Sequence, residues 1–143
     1  EGAHMKMLLA VDGSECALRA ARFVVELFAG REVQVEVVNV QATTPYGELL
    51  SGKARARVEQ WHQERGRLEA ADALQVLLRA GVSSALHVLA GEPAGAIAAM
   101  AKERGCGLIV MGSRGLGAVS GAVLGSVAAK VIRLAEVPVT VVK

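Results

Sequence analysis

The sequence predicts an α/β fold: a doubly wound parallel sheet of five strands with helices on both faces. Short apolar runs alternate with longer segments of helical periodicity along the whole chain. The composition is 52% hydrophobic but only 3% aromatic, which suits strands of Val, Leu and Ile buried on both faces. A length of 143 residues is enough for one well-buried core.

The first half of the chain is predicted to supply two strands and two helices. The strands are the apolar run at residues 6–11 and the β-branched run at residues 33–40. The first helix covers residues 15–29, after the turn Asp-Gly-Ser, which can cap a helix. Residues 43–53 read as a loop, and a long helix is predicted over residues 54–80.

The long helix is predicted to pack on the sheet through its large apolar residues. These recur at roughly helical spacing and are Ala54, Val58, Trp61, Leu68, Ala71 and Leu78. For Trp61, a place in the core or in an interface is favoured over a role as a platform for stacking a ligand.

The second half of the chain continues the alternation. Strands are predicted at residues 86–90 and 108–111 and in a closing strand from Val137 to Val142. Helices are predicted at residues 94–104, opened by Pro93, and from the end of the glycine-rich segment to about residue 135.

Charge, termini and cysteines narrow the setting of the protein. The first residues, EGAHM, resemble the remnant of an expression tag, so we expect one domain over residues 5–143, with residues 1–4 outside it. A net charge of +2 gives no argument for nucleic acid, and no apolar run approaches the roughly 18–20 residues that span a membrane. Cys16 and Cys106 form no CxxC pair and no secretory signal is evident, so we expect a cytoplasmic protein.

The most informative segment is the glycine loop, residues 112–125, which follows the fourth strand. It contains five glycines, and its spacing is Gly112-x2-Gly115-x9-Gly125-Ser126. Glycine lets backbone N–H groups approach an anion, and the N-terminus of the next helix adds partial positive charge. The loop lacks the Lys of a P-loop, and it does not follow the first strand as a dinucleotide fingerprint would. We interpret it as a phosphate-binding loop; close packing of small residues is the alternative.

Three features together resemble the universal stress protein family. They are the motif G-x2-G-x9-G-S, a first strand that ends in Asp-Gly-Ser, and a fourth strand that reads LIVMGSRG. The similarity extends over residues 6–142. It implies a Rossmann-like sheet in strand order 3-2-1-4-5 and, for the branch that carries this motif, binding of ATP. The chain departs from the family where it has Asn39 in place of a frequent His, and Cys106-Gly107 in place of Ala-Asp.

The resemblance also implies which residues contact the nucleotide. Phosphate and ribose contacts fall on the glycine loop and the helix after it, at Gly112, Gly115, Gly125, Ser126 and Val127. Adenosine contacts fall on the ends of the first two strands, at Val11, Asp12 and Val40. Arg114 lies inside the loop, where the family often has a basic residue. The implied strand order agrees with the general rule, because it puts a topological switch point between the ends of strands 1 and 4.

Several of these residues also have a purely structural interpretation. Asp12 can cap the first helix, Ser126 can be a small residue at a helix start, and Arg114 can be a solvated surface residue. Cys16, in the first turn of the first helix, is expected to be an inert buried thiol; a pKa lowered by the helix N-terminus is the alternative. His62 and His87 have no acidic or thiol partner at ligand spacing, so any Mg²⁺ is expected to be held mainly by the phosphates of ATP.

The first function hypothesis is an ATP-binding stress-response protein that acts as a nucleotide-dependent regulatory or interaction module. A slow ATPase or phosphoryl-transfer enzyme is the second hypothesis, although no catalytic base or loop Lys is recognisable. The third is an interaction module of the same fold that binds no nucleotide. We also expect a homodimer, because the strand from Val137 to Val142 would be an apolar sheet edge that Pro138 and Lys143 protect only at its ends.

Overall fold

The structure is a computed structural model that describes residues 4–43, 47–116, 121 and 123–143. Most of the predicted tag remnant (residues 1–3), part of the predicted loop (44–46) and part of the glycine loop (117–120 and 122) lie outside the described residues.

Within the described ranges, five strands alternate with four α-helices. The strands are β1 (Met5–Ala10), β2 (Val33–Ala42), β3 (Ser83–Gly91), β4 (Ile109–Gly112) and β5 (Val139–Val142). The helices are α1 (Glu15–Leu27), α2 (Gly52–Arg79), α3 (Pro93–Glu103) and α4 (Ser126–Leu134), and one short 3-10 helix covers Gly47–Leu49. None of the helices in the described part of the chain is both long and apolar enough to cross a membrane.

All strands run parallel in the order β3-β2-β1-β4-β5, which confirms the predicted fold class and strand order. β1 lies in the centre, with Leu8 paired to Glu36 of β2 on one side and to Ile109 of β4 on the other. The chain therefore winds in one direction through β2 and β3 and in the other through β4 and β5. The carboxyl ends of all five strands meet at one edge of the sheet.

Two apolar layers hold the helices on the sheet. On one face, α1 and α2 pack against alternate residues of β1 and β2 such as Met7, Leu9 and Val37. On the other face, α3 and α4 pack against the intervening residues, among them Leu8 and Val38. The small side chains of the helices let them approach a sheet that is buried on both sides, as the low aromatic content indicated.

The predicted core face of α2 is wrong. Trp61, Leu68 and Leu78 keep 52%, 78% and 70% of their surface exposed, and Val58 and Ala71 are exposed as well. The face that packs on the sheet instead consists of Gly66, Ala70, Ala73 and Leu77. Small residues at that spacing let the helix axis come close to β2 and β3, and the large apolar residues then project outward.

The closest approach is at Gly66. A Cβ atom there would overlap the side chain of Val88 on β3 and lie 3.0 Å from Oδ1 of Asn39 on β2. Asn39 is itself only 1% exposed, so it has little room to move. Gly66 therefore fixes the depth at which α2 sits on the sheet.

We expect Gly66→Ala to destabilise the protein although alanine favours a helix. Overpacking costs about 1–3 kcal/mol, and the gain in helix propensity is about 1 kcal/mol, so a net loss on the order of 1 kcal/mol should appear in urea unfolding. The matched control is Gly52→Ala in the same helix, because a Cβ at Gly52 meets nothing within 4 Å. A Gly66→Ala protein as stable as the unmodified one would show that α2 can shift freely on the sheet.

Candidate functional site

A cleft of about 630 Å³ lies outside the carboxyl ends of β1, β2 and β4. β1 and β4 are the neighbouring strands from which the chain winds in opposite directions, so the cleft lies at the topological switch point. Its size falls in the range of about 300–1,000 Å³ that is usual for small-molecule sites.

The cleft brings together all the residues that the sequence analysis assigned to a nucleotide. Its lining includes Val11, Asp12, Val40, Gly112, Arg114, Gly115, Gly125, Ser126 and Val127. These residues come from β1, β2, the glycine loop and α4, so only the fold makes them neighbours. That each of them contacts a ligand stays a prediction.

Asp12 joins the turn after β1 to the glycine loop. Its Oδ1 accepts a hydrogen bond from the backbone N–H of Ser14 at 2.9 Å, and its Oδ2 accepts one from the N–H of Leu116 at 3.1 Å. The N-cap of α1 is Ser14, whose hydroxyl accepts from the N–H of Ala17 at 3.2 Å. Asp12 thus bridges two loops. The N-cap of α1 is Ser14, two residues after Asp12, and not Asp12 itself.

Each of the three motif glycines is needed for a close approach. A Cβ at Gly112 would lie 2.7 Å from Cβ of Cys16, so the end of β4 packs directly on the first turn of α1. A Cβ at Gly115 would overlap Oδ2 of Asp12. The N–H of Gly125 donates to the carbonyl of Ser113 at 2.6 Å, which returns the loop to the end of β4. None of these three glycines has a positive φ, so they serve close packing and not a left-handed turn.

This packing also sets the position of the N-terminus of α4. Gly125 is the N-cap, and no side chain among the described residues caps the helix. Ser126 and Val127 are its first residues, and amides in the first turn of a helix have no partner within the helix. They therefore present hydrogen-bond donors and partial positive charge to the cleft, next to Arg114.

A polar network covers the β2 end of the cleft. The Glu69 carboxylate accepts hydrogen bonds from Nδ2 of Asn39 and Nε2 of Gln41, each at 2.9 Å, and from Nε of Arg65 at 2.9 Å. Asn39 also donates to the carbonyl of Val11 at 3.0 Å. The network thus ties α2 to the ends of β1 and β2.

At the β2 end of the cleft only Val40 was predicted from the sequence. Trp61, Arg65 and Glu69 of α2 and Gln41 of β2 line it, although none of them was predicted there. One signal was present: Asn39 and Gln41 are polar residues on the same side of a strand that is otherwise rich in Val. The partner Glu69 could not be found in the same way, because its contact depends on how deeply α2 packs.

Cys16 lies beside the glycine loop and is only 5% exposed. Burial raises the pKa of its thiol, but the backbone N–H of Arg114, the Arg19 guanidinium at 3.0 Å and the Ser113 hydroxyl together outweigh this effect, so the pKa is lowered. Burial and the Glu36 carboxylate instead raise the pKa of Cys106. The two thiols, both buried, thus differ in their electrostatic surroundings.

Neither histidine discussed above belongs to a recognisable metal site. Nε2 of His87 lies 2.7 Å from the Glu36 carboxylate, a partner on β2 that sequence spacing did not reveal. In the part of the chain that the structure describes, no group of three or more His, Cys, Asp or Glu residues is arranged to hold a metal ion.

Comparison with known proteins identifies close similarities over the whole chain. The model of the universal stress protein family matches residues 4–143. The universal stress protein YxiE of Bacillus subtilis is 32% identical over 149 residues, which cover 96% of this chain and 98% of that protein. Hypothetical protein MJ0577 has a similar structure, with a TM-score of 0.86 at 24% identity, covering 98% of this chain and 96% of the other.

A third similar structure contains a nucleotide. It is the universal stress protein from Archaeoglobus fulgidus in complex with dAMP, with a TM-score of 0.66 at 26% identity. The alignment covers 98% of each chain.

We expect the contact between Asp12 and the glycine loop to appear as energetic coupling. Asp12→Ala and Gly115→Ala should each destabilise the protein by about 0.5–1.5 kcal/mol, since each breaks the hydrogen bond from Leu116 to Asp12. The double variant should lose less than the sum, because removing the carboxylate makes room for the new methyl group.

Urea unfolding of the two single variants and the double variant measures this coupling. The matched control pairs Asp12→Ala with Gly107→Ala, where a Cβ meets nothing within 4 Å, and these two effects should add. If the losses of stability also add for Asp12→Ala with Gly115→Ala, as they should for Asp12→Ala with Gly107→Ala, a direct packing role for Gly115 is contradicted.

Proposed function

The chain belongs to the universal stress protein family, and on that premise we propose that its cleft binds an adenine nucleotide, with ATP as the preferred ligand. The observation that carries the proposal is the convergence of the β1 and β2 ends, the glycine loop and the start of α4 on one cleft. The dAMP complex of the relative from Archaeoglobus fulgidus supports an adenine nucleotide as the ligand class.

The phosphates would bind at the glycine loop. Amides of Gly115, Ser126 and Val127 supply donors without a charged side chain, and the positive end of the α4 dipole faces the same space. Arg114 adds a guanidinium that can pair with phosphate oxygens. Mg²⁺ would enter with ATP and be held mainly by the phosphates, which is usual for this ion.

The adenosine would bind at the ends of β1 and β2. Val11 and Val40 offer apolar surface, and Ile97 of α3 extends the apolar lining. A carboxylate has about four lone-pair sites, so Asp12 can accept a ribose hydroxyl while it keeps its two backbone N–H donors.

This proposal assigns binding and not catalysis to the cleft. Its acidic residues are Asp12 and Glu69, and both carboxylates already accept hydrogen bonds on both oxygens. Taking a proton from an attacking water would weaken these structural contacts, because a protonated carboxyl group is a poorer hydrogen-bond acceptor than a carboxylate. A nucleotide held in this way would act through the conformation of the glycine loop and α4, as in a regulatory or interaction module.

Isothermal titration with ATP tests the assignment of the phosphates. Gly115→Val introduces a β-branched side chain where the Asp12 carboxylate lies, so it should open the loop and lower ATP affinity at least tenfold, about 1.4 kcal/mol. Gly107→Val is the control at an unobstructed glycine outside the cleft and should bind normally. Unchanged affinity in a folded Gly115→Val protein would refute the phosphate assignment.

We also propose a homodimer that forms through β5, which lies at the edge of the sheet. The carbonyl of Pro138 accepts from the N–H of Ile109 in β4, and that of Val142 accepts from the N–H of Ser113, just after β4. The backbone groups of residues 138, 140 and 142 therefore face β4, and those of Val139 and Val141 point outward. Those outward groups could pair with the same strand of a second copy across a two-fold axis.

Val141→Pro should abolish the dimer, because it removes an outward N–H and leaves the bonds to β4 intact. Val141→Ala keeps the N–H and should remain dimeric. Light scattering at tens of micromolar, a concentration on an order chosen to exceed the Kd of ordinary dimers, decides between the two states. A monomer in the unmodified protein, or a dimer that survives Val141→Pro, would contradict pairing through β5.

A further inference from the structure

Helix α2 contributes a line of three side chains to the cleft, which we call the α2 wall: Trp61, Arg65 and Glu69. They are spaced four residues apart and so lie on one face of the helix. The Arg65 guanidinium carbon lies 5.2 Å from the centroid of the Trp61 ring, within the distance of a cation–π contact. Arg65 in turn donates to Glu69 at 2.9 Å.

The α2 wall is anchored in the core of the protein. Glu69 accepts hydrogen bonds from Asn39 and Gln41, which are 1% and 7% exposed. The close approach at Gly66 holds this part of the helix against β2. Arg65 is therefore oriented by a buried network, and it covers part of the Trp61 ring. A side chain held in this way loses less conformational entropy when a ligand packs against it.

Among the residues that the structure describes, no packing contact accounts for the exposure of Trp61. The tryptophan is 52% exposed, and its ring centroid lies 5.4 Å from that of His62, the next residue in the chain. Leu68 and Leu78 are also exposed on α2, but they do not line the cleft. Trp61 thus differs from them in that a ligand in the cleft could cover its ring.

The place of the α2 wall along the cleft indicates which part of a nucleotide it would meet. In the sheet, β2 and β4 flank β1 on opposite sides, so the β2 end lies across the cleft from the glycine loop. Glu69 contacts Gln41, the residue after Val40, and Trp61 lies two turns earlier in α2. The α2 wall therefore belongs to the end that receives adenosine under the proposed function.

We propose that Trp61, with Arg65 packed on it, forms the outer side of the nucleobase site, so that the base stacks between the Trp61 ring and the apolar end of β2. The ligand class is a purine nucleotide, because a two-ring base presents more π surface to the indole than a pyrimidine does. This inference rests on the proposed function and adds a residue that determines base specificity.

The single tryptophan of the chain makes the inference directly measurable. Titration of the full chain with ATP should change Trp61 fluorescence, with a midpoint equal to the calorimetric Kd. Trp61→Ala should weaken ATP binding about tenfold, about 1.4 kcal/mol, because the base loses its stacking partner. Trp61→Phe should retain most of the affinity, and the preference for ATP over CTP should shrink in Trp61→Ala.

Two controls separate stacking from a general effect on the protein. Leu68→Ala removes an exposed apolar side chain from the same helix outside the cleft and should leave ATP affinity unchanged. Inorganic triphosphate lacks a base, so Trp61→Ala should bind it as the unmodified protein does.

The possible outcomes distinguish the inference from the proposed function. If the unmodified protein binds ATP but Trp61→Ala and Leu68→Ala behave alike, the base-stacking role is overturned and nucleotide binding stands. Equal losses for ATP and triphosphate in Trp61→Ala would also overturn it. If the unmodified protein binds neither ATP nor triphosphate in calorimetry, the proposed function itself fails.

Discussion

The cleft depends on one short contact, between the Asp12 carboxylate and the backbone at Gly115 and Leu116. At the switch point the connections after β1 and β4 leave toward opposite faces of the sheet, so nothing in the ladder of the sheet itself holds the two loops together. Asp12 supplies that link by accepting N–H groups from Ser14 on one side and Leu116 on the other. A side chain at residue 115 would occupy the position of the carboxylate, and for this reason the link requires glycine.

The glycine motif therefore has a structural explanation that does not compete with ligand binding. Gly112 lets β4 pack on α1, Gly115 makes room for Asp12, and Gly125 returns the loop to Ser113. Each contact fixes backbone whose N–H groups border the cleft. Close packing and an anion site were alternatives when only the spacing was known. In the structure, close packing orders the backbone N–H groups that an anion site would need. Donors that are already ordered lose little entropy when an anion binds.

The sequence predicted those parts of the protein that have local signals. The glycine spacing after a strand indicated a phosphate-binding loop, and the strand order and the individual contact residues followed from the resemblance to the family. The start of β3 was missed, since Ser83 and Ser84 do not have the apolar character by which the strand was recognised. For α2 the periodicity was real but ambiguous, because the helix has large apolar residues on one face and small ones on another. Only contact with β2 and β3 decides which face is buried.

The burial of this face of α2 also forms the β2 end of the cleft. Had Trp61 and Leu68 faced the sheet, their bulk would have kept the axis of α2 away from β2, and Glu69 could not have reached Asn39 and Gln41. With Gly66 against Val88 the helix lies close, the Glu69 network closes, and the large apolar side chains turn outward. Leu68 and Leu78 lie outside the cleft, whereas Trp61 lines it. Trp61, one of the residues that made α2 hard to predict, thus gives this cleft a side that the family motif does not describe.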